Sequence, residues 1–115
     1  MKKLFFISIM NKFDQVRNIV KTIPQGRVST YGNVAKALNL NSPRIVGWAL
    51  RGNQNLEIPC HRVVQKGGHL AANFSLGGWQ EQARRLNKDG VKTNDQHIVE
   101  FNSCFFDLTI KNHIE

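Results

Sequence analysis

Cysteine, tyrosine, proline and acidic residues are all scarce in this chain. Its 115 residues include two cysteines, one tyrosine and three prolines. Two cysteines, Cys60 and Cys104, with no CxxC pair exclude a disulfide framework and make a reducing, intracellular setting the simpler expectation. Cys60, His61, His69 and Cys104 lack any zinc-finger spacing, so no metal is expected. The apolar stretch LFFISIM at residues 4–10 falls far short of the roughly 20 residues of a membrane span. No small-residue cleavage site follows it, so it reads as a leading strand or loose N-terminal extension. Acids number eight against sixteen Lys and Arg, a net charge of +8. That excess favours a polyanion such as nucleic acid. Hydrophobic residues at 41% exclude a disordered chain.

The length fits one domain with one modest core. Phe13, Val16, Val20 and Ile23 recur at helical spacing and predict one apolar face over residues 12–23, closed by Pro24-Gln25-Gly26. Ser29 or Thr30 caps a second helix with Tyr31, Val34, Ala35 and Leu38 inward. Ser42-Pro43 starts a third, to about Arg51. Its buried side carries Ile45, Val46, Ala49 and Leu50; Arg44, Gly47, Trp48 and Arg51 take the other side. Two short helices joined by a tight turn make a helix-turn-helix. Trp79–Lys88 reads as a last helix with Trp79, Ala83 and Leu86 inward, and residues 98–101 and 105–110 predict a small C-terminal hairpin. The expected class is mainly α, a winged-helix-like domain with a helix-turn-helix and a small C-terminal β element. Residues 1–11 are an N-terminal extension, 12–91 the domain, and 92–115 an extension packed on it.

The chemistry sits in Ile58-Pro59-Cys60-His61-Arg62-Val63. A thiol with a reference pKa of about 8.5 needs a base or cation nearby to become a nucleophile. Pro59 stiffens the approach to Cys60, and Arg62 adds positive charge. Neighbouring side chains on an extended strand point apart, so direct contact of Cys60 with His61 requires an irregular backbone or a water. On these residues alone, a buried, inert cysteine in a short strand is the ordinary reading, ahead of a catalytic one.

PCHRVV at 59–64 resembles the active-site motif of the O6-alkylguanine-DNA alkyltransferases. PRIVGWALRGN at 43–53 resembles that family's recognition helix and asparagine turn, and IPQGRVSTYGNVA at 23–35 the segment before it. The likeness runs on through Gly77-Gly78 to Asp89-Gly90-Val91. It implies a protein that enters the minor groove of double-stranded DNA, flips O6-alkylguanine from the stack and transfers the alkyl group irreversibly to a cysteine, with no cofactor. By position, Cys60 is the acceptor, His61 its base through a water and Asp89 the residue orienting His61. Tyr31 assists flipping and donates to the base; Arg44 fills the gap. Thr30, Gly47, Trp48 and Arg51 complete the DNA surface. Asn53 braces the turn beside Pro59. Ser75 hydrogen-bonds the base, while Phe74 and either Val64 or the Asn73 region line the pocket. Without the resemblance, Tyr31 reads as a core tyrosine and Asn53 as an ordinary helix terminator.

The chain departs from the family pattern in several places. Asp89 stands where a glutamate is usual, so a slack contact with His61 is expected. Phe74 replaces a tyrosine, the loop from Val64 to Gly77 is longer, and Trp48 stands where a glycine often faces the groove. The family's usual N-terminal domain has no counterpart. That last feature is shared with the sister group of alkyltransferase-like proteins, which recognise the lesion without removing it and hand it to excision-repair proteins; there, tryptophan usually replaces the cysteine that Cys60 retains. The expected setting is a monomer without membrane association, in the cytoplasm with the nucleoid, or in the nucleus of a eukaryote. The alternative to transfer is lesion recognition without transfer; a transcription factor reading the major groove through Arg44 and Arg51 is a third class that gives Cys60 no role. A thiol hydrolase finds no support in the sequence.

Overall fold

A computed structural model describes residues 11–110 apart from Gly52, Asn73, Ser75 and Leu76. The reading of residues 4–10 as a leading strand, and the pocket roles of Asn73 and Ser75, lie outside the described residues.

Helix α1 (Lys12–Val20) starts at Asn11, whose side chain accepts from the Asp14 amide at 2.8 Å. Val16, Ile19 and Val20 face inward, and the turn after the helix brings in Ile23. The helix is thus shorter than its periodicity predicts. Phe13 is not on the buried face as expected: it lies in the first turn, before the helix meets its neighbours, with the Arg17 guanidinium 6.0 Å from its ring. Ile19 takes its place in the core.

The helix-turn-helix forms from local signals. Strand β1 (Ser29–Thr30) runs into α2 (Tyr31–Ala37), and Thr30 Oγ1 caps α2 by accepting from the Asn33 amide at 3.0 Å. Asn39, at φ 55°, turns the chain in the left-handed region, which asparagine tolerates. Ser42 then caps α3 (Pro43–Leu50), with Pro43 in the first turn where its missing N–H costs nothing. Val46, Ala49 and Leu50 are buried against α1 and α2, and Ile45 is half-buried. Arg44, Trp48 and Arg51 are exposed.

A 3-10 turn (Cys60–Arg62) leads into β2 (Val63–Val64), which pairs in parallel with β1: Ser29 with Val63, Thr30 with Val64. This two-residue ladder ties the start of α2 to the cysteine segment. Side chains alternate across a strand, and here Val63 joins the core of α1, α2 and α3 while Val64 joins a second cluster with Val28, Leu70, Leu86, Val91 and Ile98. Helix α4 (Gly78–Lys88) closes that second cluster, with Leu86 inside.

The predicted hairpin at 98–101 and 105–110 is not what forms. Strand β3 (Thr93–Asn94) pairs antiparallel with β4 (His97–Ile98), turning at Asp95 with φ 52°. Asp tolerates that conformation, and the 98–101 run lacks the strict alternation of a strand. Ile98 is buried, Val99 exposed, and Phe101 opens a one-turn helix α5 (Phe101–Cys104). Phe105 instead bridges in parallel to Val28, and Leu108 enters the first core. Among the described residues, five α-helices and two small sheets match the expected class. No helix among the described residues is long and apolar enough to cross a membrane.

Candidate active site and DNA-facing surface

Pro59 sits at φ −79°, ψ 66°, the centre of a tight turn in which the Cys60 amide donates to Ile58 O at 2.8 Å. The 3-10 turn that follows supplies the irregular backbone on which consecutive residues do not point strictly apart. Cys60 is 5% exposed and is a free thiol, as is the half-buried Cys104.

Asn53 folds back onto this turn. Its Oδ1 accepts from the Asn55 amide at 3.2 Å, which fixes the amide's orientation. Its Nδ2 then faces Ile58 O at 3.4 Å and Cys60 Sγ at 3.7 Å. An N–H aimed at sulfur donates to its lone pairs and fixes the position of the side chain.

His61 Nε2 lies 2.9 Å from Asp89 Oδ2. The aspartate, though a methylene shorter than glutamate, leaves no gap. It reaches the ring because α4 ends at Lys88 and Asp89 is its C-cap, packed beside the 3-10 turn. Arg62 holds the same carboxylate, with Nε 2.8 Å from Oδ2 and Nη2 3.4 Å from Oδ1, while its Nη1 donates to Ile23 O at 2.9 Å. Burial pushes the Asp89 pKa up, but these hydrogen bonds outweigh it and leave the carboxyl below its ordinary value. Burial lowers the His61 pKa, and the bond and charge of Asp89 recover only part of that. A neutral ring that donates from Nε2 to an ionised carboxylate keeps Nδ1 as its acceptor. Asp89 thus holds the ring of the residue after Cys60 in one orientation. Among the described residues no hydrogen bond joins thiol and imidazole directly, and no three His, Cys, Asp or Glu side chains gather as a metal site.

Tyr31 opens α2 half-buried against the first core. Burial, and then the negative charge of Cys60 as thiolate, raise its pKa, so the phenol keeps its proton. Thr30, Tyr31 and Arg44 line one groove of 670 Å³ together with Lys66 and Phe105. Cys60 is not among the residues lining that groove. Gly47, Trp48 and Arg51 continue the outer face of α3. Trp48 is 53% exposed, and a Cβ built on Gly47 would meet nothing within 4 Å, so neither residue serves internal packing. Val64 does not line a pocket: it is fully buried in the second cluster. Phe74 is buried in the first core beside the cysteine segment, with the Arg85 guanidinium 5.6 Å over its ring.

Two positioning residues were missed from sequence. Gln82, fully buried on α4, accepts from the Ala71 amide at 2.7 Å and donates to Val63 O at 2.9 Å and His61 O at 3.2 Å. It couples the start of the 71–77 loop to the active-site turn. Asn33 accepts at Oδ1 from Ser29 Oγ and the Leu108 amide, 2.9 and 2.8 Å away, and donates to Asp107 at 3.0 Å. It anchors the C-terminal segment to the helix that carries Tyr31.

The model of the 6-O-methylguanine DNA methyltransferase family, DNA binding domain, matches residues 11–91. The chain belongs to this family. It is 52% identical over 66 residues to a methylated-DNA–protein-cysteine methyltransferase of Methanocaldococcus jannaschii, covering 56% of this chain and 35% of that protein. It is 32% identical over 91 residues to alkyltransferase-like protein 1 of Schizosaccharomyces pombe, covering 77% and 84%. The crystal structure of that yeast protein in complex with damaged DNA containing O6-carboxymethylguanine superposes with a TM-score of 0.71 at 27% identity, over 82% of this chain and 93% of that one. The O6-methylguanine-DNA methyltransferase of Pyrococcus kodakaraensis gives 0.59 at 37% identity, over 72% and 48%. The chain spans only 28% of the bifunctional methyltransferase/endonuclease of Thermoplasma volcanium and 41% of the Thermococcus kodakarensis methyltransferase that it also matches. The family match stops at Val91, whereas the structural match to the yeast protein covers a larger share of the chain.

Proposed function

We propose that this domain binds duplex DNA through α3, flips an O6-alkylguanine from the stack and takes its alkyl group onto Cys60. One observation carries the reading: the acceptor thiol, with Asn53 Nδ2 3.7 Å from it, directly precedes a histidine held 2.9 Å from Asp89. An alkyl carbon inside a duplex is out of reach of any thiol, and extrusion costs a few kcal/mol. Arg44, exposed at the start of α3, inserts into the vacated space and offsets part of that cost. Trp48 and Arg51 meet the minor groove beside it.

The transfer balances without a cofactor. His61 Nδ1 takes the thiol proton through an intervening water. Sulfur forms a bond to the alkyl carbon as the bond from that carbon to O6 breaks. The departing guanine acquires one proton, donated by Tyr31, whose phenol is restored from the proton held on His61. The thioether does not revert, so each molecule acts once. The setting is the compartment that holds the DNA.

A second reading is recognition without transfer, in which the bound lesion is passed to excision-repair proteins. The observation favouring it is the likeness to the yeast alkyltransferase-like protein over 93% of that chain. Intact mass after incubation with an oligonucleotide bearing one O6-methylguanine separates the two. The proposal expects a gain of one methylene, mapped to Cys60 and absent in Cys60→Ala. Tight, lesion-selective binding with unchanged mass would overturn it in favour of recognition.

A further inference from the structure

A second groove, of 430 Å³, opens where the 53–58 loop faces α4, and it shares no lining residue with the Arg44 groove. His61, Arg62 and Asp89 form part of its wall; Arg84, Arg85 and Lys88 line it from α4. On its loop side stands Leu56, 84% exposed. This leucine is not on a slack segment. The Asn55 amide donates to Asn53 Oδ1 at 3.2 Å, the Glu57 amide to Asn55 Oδ1 at 3.0 Å, and the Ile58 amide to Asn55 O at 3.0 Å. Successive side-chain-capped turns hold Leu56 outward.

The charge of the groove is lopsided. Arg84 and Arg85 both bind Glu81, which stays ionised with a pKa of about 2, so two guanidiniums share one carboxylate. Arg62 is matched by Asp89. One guanidinium charge and that of Lys88 are left over, facing a concave space with an apolar anchor at its edge.

From this we infer that the groove docks a partner protein through an acidic segment carrying an apolar residue. Carboxylates meet Arg84, Arg85 and Lys88, and the apolar side chain covers Leu56. A DNA backbone satisfies the cations but leaves Leu56 in water, whereas a peptide of this kind satisfies both. The groove reaches the His61–Asp89 pair without using the DNA-facing residues, so partner and DNA bind together. The inference does not rest on alkyl transfer.

The test uses a fluorescein-labelled peptide alternating Glu with Leu, titrated with the full chain and followed by anisotropy, with and without saturating duplex. The expected result is saturable binding that survives added duplex. It should weaken several-fold in the double variant Arg84→Gln, Lys88→Gln and in Leu56→Ser, while Leu56→Ser keeps duplex affinity within twofold and the double variant still binds duplex. An all-Glu peptide lacking Leu should bind several-fold more weakly. Displacement of the peptide by duplex, equal binding of the all-Glu peptide, or loss of duplex affinity in the double variant would overturn the inference; the last two outcomes assign the groove to polyanions in general or to the DNA backbone. Circular dichroism of Leu56→Ser, a change at an exposed position, confirms that the comparison is made on a folded protein.

Discussion

The Gln82 side chain, sealed in the interior, spans from the Ala71 amide to the Val63 carbonyl and so fastens the loop after β2 to the strand before it. A buried amide that loses its partners costs about 1–3 kcal/mol for each group left unsatisfied. Gln82→Leu keeps the volume but strands the Ala71 N–H and two carbonyls. It should destabilise the fold by about 2–4 kcal/mol on this basis, read as a lower urea midpoint at unchanged m-value. Gln82→Glu should cost more, because a carboxylate would face the carbonyls of Val63 and His61. A cost below that of an ordinary surface substitution would remove Gln82 from its bracing role.

Asn53 is the described side chain whose amide points at the sulfur. Asn53→Ala should make Cys60 a poorer nucleophile and loosen the 53–58 loop. The check is the rate at which iodoacetamide labels Cys60, with Cys104 as the internal reference. A several-fold fall at Cys60 alone is expected. A parallel change at both cysteines would point to general loosening instead.

Acid should act on this fold in two stages. The folded His61 pKa lies below its ordinary value of about 6.5. Between those two values the unfolded chain binds a proton that the folded chain does not, so stability falls as pH drops through that window. The folded Asp89 pKa lies below the ordinary value of about 3.9. Its contribution is therefore complete above that value and is lost as pH falls further, through the folded pKa. Thermal midpoints at constant ionic strength should begin to decline below about pH 6.5. His61→Gln should flatten this first decline and shrink the second without abolishing it, since Arg62 still holds Asp89. An unchanged slope between neutral pH and pH 5 would show that other groups set the acid sensitivity.

What could be read from the sequence follows how local each feature is. The caps at Thr30, Ser42 and Pro43 act within one turn, so the helix-turn-helix and the outward face of α3 are plain in the letters. The pairing of His61 with Asp89 is not local: the two meet across 28 positions, and only the family resemblance joins them. The parallel bridge of residues 29–30 with 63–64 leaves no mark in either segment. The C-terminal region misleads because its apolar letters divide between a one-turn helix, a bridge to Val28 and a core plug. Gln82 had a usable signal, since it falls on the stripe of Trp79 and Leu86, where a polar residue must find buried partners. Phe13 shows the limit of periodicity: spacing places a side chain on a face, but not within reach of a neighbour.

The segment after α5 reaches deep into the molecule. Arg27 donates to the carbonyls of Cys104 and Phe105, the Phe106 amide donates to Val28, and Leu108 is 2% exposed beside Val34 in the first core. Trimming the chain at Val91, where the family model stops, would pull a cork from beneath the very helix that presents Tyr31. A piece cut at Val91 therefore lacks part of the packing on which that helix rests.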